Sequence, residues 1–188
     1  MLARSFKALR DYKTNRDPLA ALANTVALVV AGNQPFYPLY LHAIVGRSAW
    51  PAWITLITMP LFAAVPAVAK RSALAGRAML PTIGTANGLL AVKLIGADTG
   101  VELFLLPCVL LATILFRPGE WLVMLAVLAF PFAAYILLDQ AVGAPLTTYS
   151  AGEYRSIISI HAFSVASLFA LIGYVFPAST NPIAFEDR

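Results

Sequence analysis

The side chains best equipped for chemistry in this sequence are two histidines, His42 and His161. A neutral imidazole within a helix bundle can hold a haem iron, and an ionisable residue at membrane depth is a functional candidate by default. His42 closes an apolar stretch beside Tyr37 and Tyr40, and His161 lies about two turns into another. Two readings follow. The pair could supply the axial ligands of a b-type haem, or His42 could be an interfacial hydrogen-bonding group and His161 a packed, hydrogen-bonded one. The second chemical group is carboxamide. Gly32-Asn33-Gln34-Pro35 interrupts an apolar stretch, and Pro35 frees backbone carbonyls that then need partners. Asn24, Asn33 and Gln34 are expected to face protein rather than lipid, either tying helices together or lining a cavity. The expected ligand or partner pocket is therefore Asn33, Gln34, Tyr37, His42, Asn87 and His161.

No Walker loop, glycine-rich nucleotide loop, Ser-His-Asp set or mid-span carboxylate is present. The single cysteine, Cys108, sits in an apolar run, so neither a disulfide framework nor a cysteine metal motif is expected. It reads as a small core hydrophobe. No catalytic residue and no metal ligand is assigned, and an enzyme is the least supported class. The net charge of +4 comes from scattered basic residues rather than a groove-binding stripe, so no nucleic-acid partner is expected.

The elements that must carry these groups are membrane helices. Of 188 residues, 60% are hydrophobic and 12% charged, where a soluble domain is about half apolar and about one quarter charged. A lipid-facing exterior accounts for that balance. Residues 1–17 form a basic segment, read either as an interfacial amphipathic helix with Leu2, Phe6 and Leu9 on one face or as a disordered tail. Residues 18–177 form a six-helix bundle, and 178–188 a short tail. The expected spans are Pro18–Leu41, Ala49–Ala69 with Ser48 as cap, Ala78–Ile95, Val101–Phe116, Trp121–Leu138 and Tyr154–Phe176. Lys70, Arg71 and Arg77 are placed in a loop, and Lys93 near enough to a span end to snorkel. Trp50 and Trp53 form an interfacial anchor.

Thr99/Glu102 and Ser150/Glu153 have capping-box spacing. Arg117-Pro118-Gly119-Glu120 joins two helices as an antiparallel hairpin, and the longest loop runs from Asp139 to Gly152. Small-residue ridges at Ala23, Ala27 and Ala31, at Gly84 and Gly88, and at Ala162, Ala166 and Ala170 permit close helix contact, within the molecule or between protomers.

Six spans put both termini on one side. With that side cytoplasmic, it holds ten basic residues (Arg4, Lys7, Arg10, Lys13, Arg16, Lys70, Arg71, Arg77, Arg117, Arg188) against three opposite (Arg47, Lys93, Arg155), in accord with the positive-inside rule.

The loop Gly96, Asp98, Gly100, the Phe/Leu-rich helix from Phe104 to Phe116, the tight turn and the helix after it resemble the six-helix membrane domain of bacterial class III adenylate cyclases and related sensor kinases. The resemblance extends loosely over residues 18–177. It implies a bacterial inner-membrane protein with a receptor-like regulatory role, often dimeric. In that family the last helix continues through a coiled coil into a catalytic domain. Here Pro177 and Pro182 follow Phe176 without heptads or a catalytic domain, so no cyclase activity is expected of this chain. Two functions remain open: a sensor or scaffold module binding a lipid-soluble ligand or membrane partner, and an accessory subunit of a respiratory or photosynthetic complex. A small transporter lacks an internal repeat or buried charges to support it. Expected companions are membrane lipids, including bound lipid, and a protein partner in the membrane, either a second copy or a larger complex.

Overall fold

Asp17 and Pro18 start the first apolar helix. The Asp17 carboxylate accepts from the amides of Leu19 (2.9 Å) and Ala20 (3.1 Å), and Pro18 occupies a position that needs no donor. The computed structural model describes residues 2–138 and 142–180, and side chains over 7–138 and 142–177. Those residues are 88% helical, with no strand among them. Asp139, the tail from residue 181 and the side chains of Leu2, Arg4 and Phe6 lie outside the description.

Helix α1 (Leu2–Lys13) leads into α2 (Pro18–Asn33). Its end is tied to the bundle by Tyr12 Oη donating to Ala63 O (2.8 Å), and the linker by Asn15 Nδ2 donating to Ala69 O (3.0 Å). Leu9, on the apolar face of α1, is exposed. At Gln34–Pro35 the chain breaks and resumes as α3 (Phe36–Val45). Gly46, at φ +61°, then reverses it, a backbone conformation that favours glycine.

The return segment is a 3-10 helix over Gly46–Thr58 followed by α4 (Met59–Arg71). Its tight winding has a local cause: Pro51 offers no amide, and the hydroxyls of Thr55 and Thr58 donate three residues back, to Ala52 O (2.7 Å) and Thr55 O (2.9 Å). Ser48 caps nothing, and its carbonyl instead accepts from Tyr149 Oη (3.4 Å). Burial pushes the Tyr149 hydroxyl up to about 12, so it remains a neutral donor. Helix α4 packs back against α2.

Helix α5 (Ala73–Ile95) is the centre of the fold, touching α2, α4, α6 (Leu105–Ile114) and α7 (Trp121–Ile136). It begins earlier than expected, because Ser72 Oγ accepts from Ala75 N (3.2 Å) and caps it. The expected loop shrinks to Ser72, and Arg77 lies inside the helix, 1% exposed. Glycines let neighbours approach: a Cβ on Gly76 would lie 2.5 Å from Ala69 Cβ, and one on Gly84 2.7 Å from Cys108 Sγ. At Gly88 the corresponding distance, to Leu105 Cδ2, is 3.4 Å. The Gly84–Gly88 ridge therefore packs within the molecule, against α6 (Leu105–Ile114).

Between α5 and α6 run 3-10 turns over Ala97–Thr99 and Val101–Phe104, separated by Gly100 at φ +73°. The expected Thr99/Glu102 capping box does not form. The left-handed Gly100 precedes the second turn, Thr99 Oγ1 donates to Gly96 O (2.6 Å), and Glu102 Oε2 is buried without a partner. The Ser150/Glu153 box does form: Glu153 Oε2 accepts from Ser150 N (2.8 Å) and Oγ (2.7 Å), and Ser150 Oγ accepts from Glu153 N (3.4 Å). At the hairpin turn ahead of α7 (Trp121–Ile136), Arg117 N donates to Glu120 Oε2 (2.8 Å) and the Glu120 amide returns a bond to the Arg117 carbonyl (2.8 Å). The last helix, α8 (Ala151–Thr180), runs on through Pro177, past the expected end at Phe176.

Among the described residues, four helical stretches are long and apolar enough to cross a membrane: Phe36–Arg71, Ala73–Ile95, Pro118–Ile136 and Ala151–Pro177. Pro18–Asn33 and Val101–Ile114 are apolar but shorter. Trp50 and Trp53 are exposed, as an anchor must be.

Candidate functional site

The break at Gln34–Pro35 prevents α2 and α3 from packing as one straight rod against α5 and α8, and a cavity of about 630 Å³ occupies the gap. Asn33, Gln34 and Tyr37 line it from the break, Thr55 from the 3-10 segment, Asn87 from α5 and Ser164 from α8. Val29, Tyr40 and Phe163, also in its wall, are exposed on the outside of the bundle, so the cavity opens sideways between α2–α3 and α8. None of the described lining residues is charged.

A chain of side-chain hydrogen bonds forms one wall. Gln34 Nε2 donates to Thr58 Oγ1 (2.7 Å), and Thr58 Oγ1 lies 2.8 Å from Asn87 Oδ1, within reach to donate. Gln34 is 7% exposed, yet its Oε1 has no partner. A buried acceptor left unpaired costs about 1–3 kcal/mol. Turning the amide over would exchange the bonded atom and leave the other one bare. Asn33 is exposed and faces the cavity, not a neighbouring helix. Asn24 does face protein: fully buried, its Nδ2 donates to Lys13 O (2.9 Å).

His161 stands behind this wall, 0% exposed. Its Nδ1 lies 2.7 Å from Thr99 O and its Nε2 3.1 Å from Tyr37 Oη. A carbonyl can only accept, so Nδ1 carries the proton and Nε2 accepts from the tyrosine. Tyr37 stacks on the ring (5.7 Å between centroids) and Phe104 meets it edge-on (5.8 Å). His42 is exposed on α3. The axial haem pair is therefore not assembled: one imidazole has both nitrogens committed and the other points out of the bundle. Of the six expected pocket residues, Asn33, Gln34, Tyr37 and Asn87 come together, His161 positions Tyr37, and His42 is elsewhere. Thr58, which links the two amides, was missed. Its signal was Thr55 and Thr58 three apart behind Pro51.

A second buried polar group lies at the other end of α5. Arg77 Nη2 and Nη1 donate to Glu120 Oε1 (2.6 Å) and Oε2 (2.8 Å), and Nη1 also donates to Leu115 O (2.8 Å). Asp17 Oδ2 is 3.7 Å from Arg77 and accepts from Arg117 (3.1 Å). Near the opposite end of α5, Lys93 Nζ donates to the carbonyls of Val142 (3.1 Å) and Ala144 (2.8 Å), holding the segment ahead of α8.

Of the ridges, Ala23, Ala27 and Ala31 are buried, while Ala162, Ala166 and Ala170 are exposed. No family model, curated protein or solved structure matches the chain.

Proposed function

We propose that this chain is a non-catalytic integral membrane module, sensor-like or scaffold-like, that takes up a lipid-soluble ligand between its helices. The observation that carries this is the uncharged cavity of about 630 Å³, open to the side of the bundle and walled by Asn33, Gln34 and Asn87. Pockets of a few hundred Å³ with a few convergent polar groups are the usual form of a small-molecule site. A side opening suits a ligand that arrives through the bilayer. The likeness to cyclase membrane domains agrees with a receptor role and with a bacterial inner membrane.

Within this reading the chain crosses the membrane six times, with both termini cytoplasmic. The short helices α2 and α6 are completed by α3 and by the 3-10 turn before α6. The Asp17–Arg77–Glu120 cluster gathers the segments assigned to the cytoplasmic side, and the Lys93 and Tyr149 bonds gather those assigned to the other.

Purification in mild detergent followed by native mass spectrometry tests the ligand role. Unmutated protein should carry a lipophilic mass that Ser164→Trp, which fills the cavity from α8, does not. Equal retention of the same mass by both would remove the cavity from the account. A second reading, an accessory subunit of a membrane complex or a homodimer, has the exposed Ala162–Ala166–Ala170 ridge in its favour. Under it, Ala166→Leu abolishes co-purification of a partner chain.

A further inference from the structure

Four features of the cavity wall constrain what fills it. The wall carries no charge among its described residues, so a carboxylate, phosphate or ammonium inside would lack a counter-ion where solvent screening is weak. Gln34 Oε1 is an acceptor without a donor, on a side chain 7% exposed. Asn87 Nδ2, at the far end of the same hydrogen-bond chain, makes no hydrogen bond among the described residues, because Asn87 bonds Thr58 through Oδ1. Asn33 adds a whole unengaged carboxamide at the break.

Thr58 Oγ1 has one proton, for which Asn87 Oδ1 (2.8 Å) and Thr55 O (2.9 Å) compete; given to Asn87, it leaves a bare acceptor at Gln34 and a bare donor at Asn87. Given to Thr55 O, with the Asn87 amide turned so that both carboxamides donate to Thr58, it leaves bare acceptors at both ends. Reversing the chain moves the bare acceptor to Asn87, so a bare acceptor remains in every arrangement. The missing group must therefore give a hydrogen bond while remaining neutral, and the unengaged Asn33 carboxamide offers it one to take. A ketone, ester or ether only accepts, and would leave an acceptor of the wall unpaired.

We infer that the cavity binds a neutral lipophile with a hydroxyl head group, an alcohol or phenol, whose O–H donates to Gln34 Oε1 and whose oxygen accepts from an asparagine amide. The inference rests on the reading of this cavity as a ligand site. Gln34 Oε1 is enclosed, so the amide turns about its soft terminal torsion to meet the hydroxyl. That turn also relieves the unpaired acceptor. The hydrocarbon part leaves between Val29, Tyr40 and Phe163, toward the lipid.

A matched pair of photoreactive probes tests this: a long-chain alcohol with a diazirine in its chain, and its methyl ether, each at the same mole fraction in nanodiscs holding the unmutated protein. The alcohol should label peptides covering residues 29–40 and 160–171 about tenfold more than the ether, the factor expected of one well-made hydrogen bond. Ser164→Trp should suppress labelling by both probes, and Gln34→Met should bring the alcohol down to the level of the ether. Equal labelling by the two probes, lost in Ser164→Trp, overturns the hydroxyl requirement and leaves the cavity as a ligand site. Absence of labelling by either probe overturns both. The alcohol–ether comparison needs no variant, so a Gln34→Met chain that fails to fold does not blunt it.

Discussion

Helix α5 carries two polar groups held in side-chain networks, the buried Arg77 near its start and the half-buried Asn87 further along, and they differ in what they leave unpaired. Around Arg77 the account closes. Its guanidinium meets both oxygens of Glu120, the carbonyl of Leu115 and, at 3.3 Å from Nε, the carbonyl of Ala73. Around Asn87 it does not. Thr58 joins two carboxamides, and Gln34 Oε1 is left bare beside a cavity. Both sites bury polar atoms at a desolvation cost. A closed network recovers that cost within the chain and fixes geometry. An open one recovers it only when something else arrives. The contrast separates a group that holds helices together from one poised to bind.

The largest effect should come from breaking the closed site. Arg77→Met leaves the Leu115 carbonyl without its donor and Glu120 without its guanidinium, with only the Arg117 amide still on the carboxylate, and weakens the hold on Asp17. Removing one partner of a buried ion pair costs about 3–5 kcal/mol, visible as a large fall in the unfolding midpoint in detergent. A fall worth less than about 1 kcal/mol, the scale of an exposed pair, would erase the distinction between the two sites. One residue earlier, Gly76→Ala forces a Cβ against Ala69, 2.5 Å from its Cβ and 2.7 Å from its Cα. Backbone cannot swing aside, so overpacking of about 1–3 kcal/mol is expected. Gly88→Ala, with 3.4 Å to a flexible leucine methyl, should change the midpoint little. Comparing the two alanine variants by thermal unfolding shows whether the close helix contact lies at the closed end.

Much of this was legible in the sequence, and the failures have physical causes. Apolar runs, Pro35 and the glycines are local signals. They placed the helices, the break and four of the six pocket residues. Arg77 was read as a loop residue because a cation just outside an apolar run ordinarily is one. Its burial depends on Glu120, 43 positions away, which no local pattern announces. Thr99/Glu102 has the spacing of a capping box, but the left-handed Gly100 places its two members in separate turns. Ser150/Glu153, with nothing between them to break the turn, behaves as spaced. The histidines show the same limit: the sequence supplies two imidazoles, and only the fold decides that His161 meets Tyr37 and Thr99 while His42 faces outward.

The smallest expected effect is the most pointed. Gln34→Met removes one hydrogen bond to Thr58, worth about 1 kcal/mol, and also removes an unpaired acceptor whose burial costs about 1–3 kcal/mol. The two nearly cancel, so ligand-free protein should unfold within about 1 kcal/mol of the unmutated chain, or slightly later. Thr58→Val is the counter-case, because it strands both carboxamides at once and should destabilise. Measuring both variants after delipidation decides the matter. If Gln34→Met lowers the midpoint as far as Arg77→Met does, the carboxamide chain is as structural as the ion cluster, and an open wall no longer distinguishes a binding site from a brace.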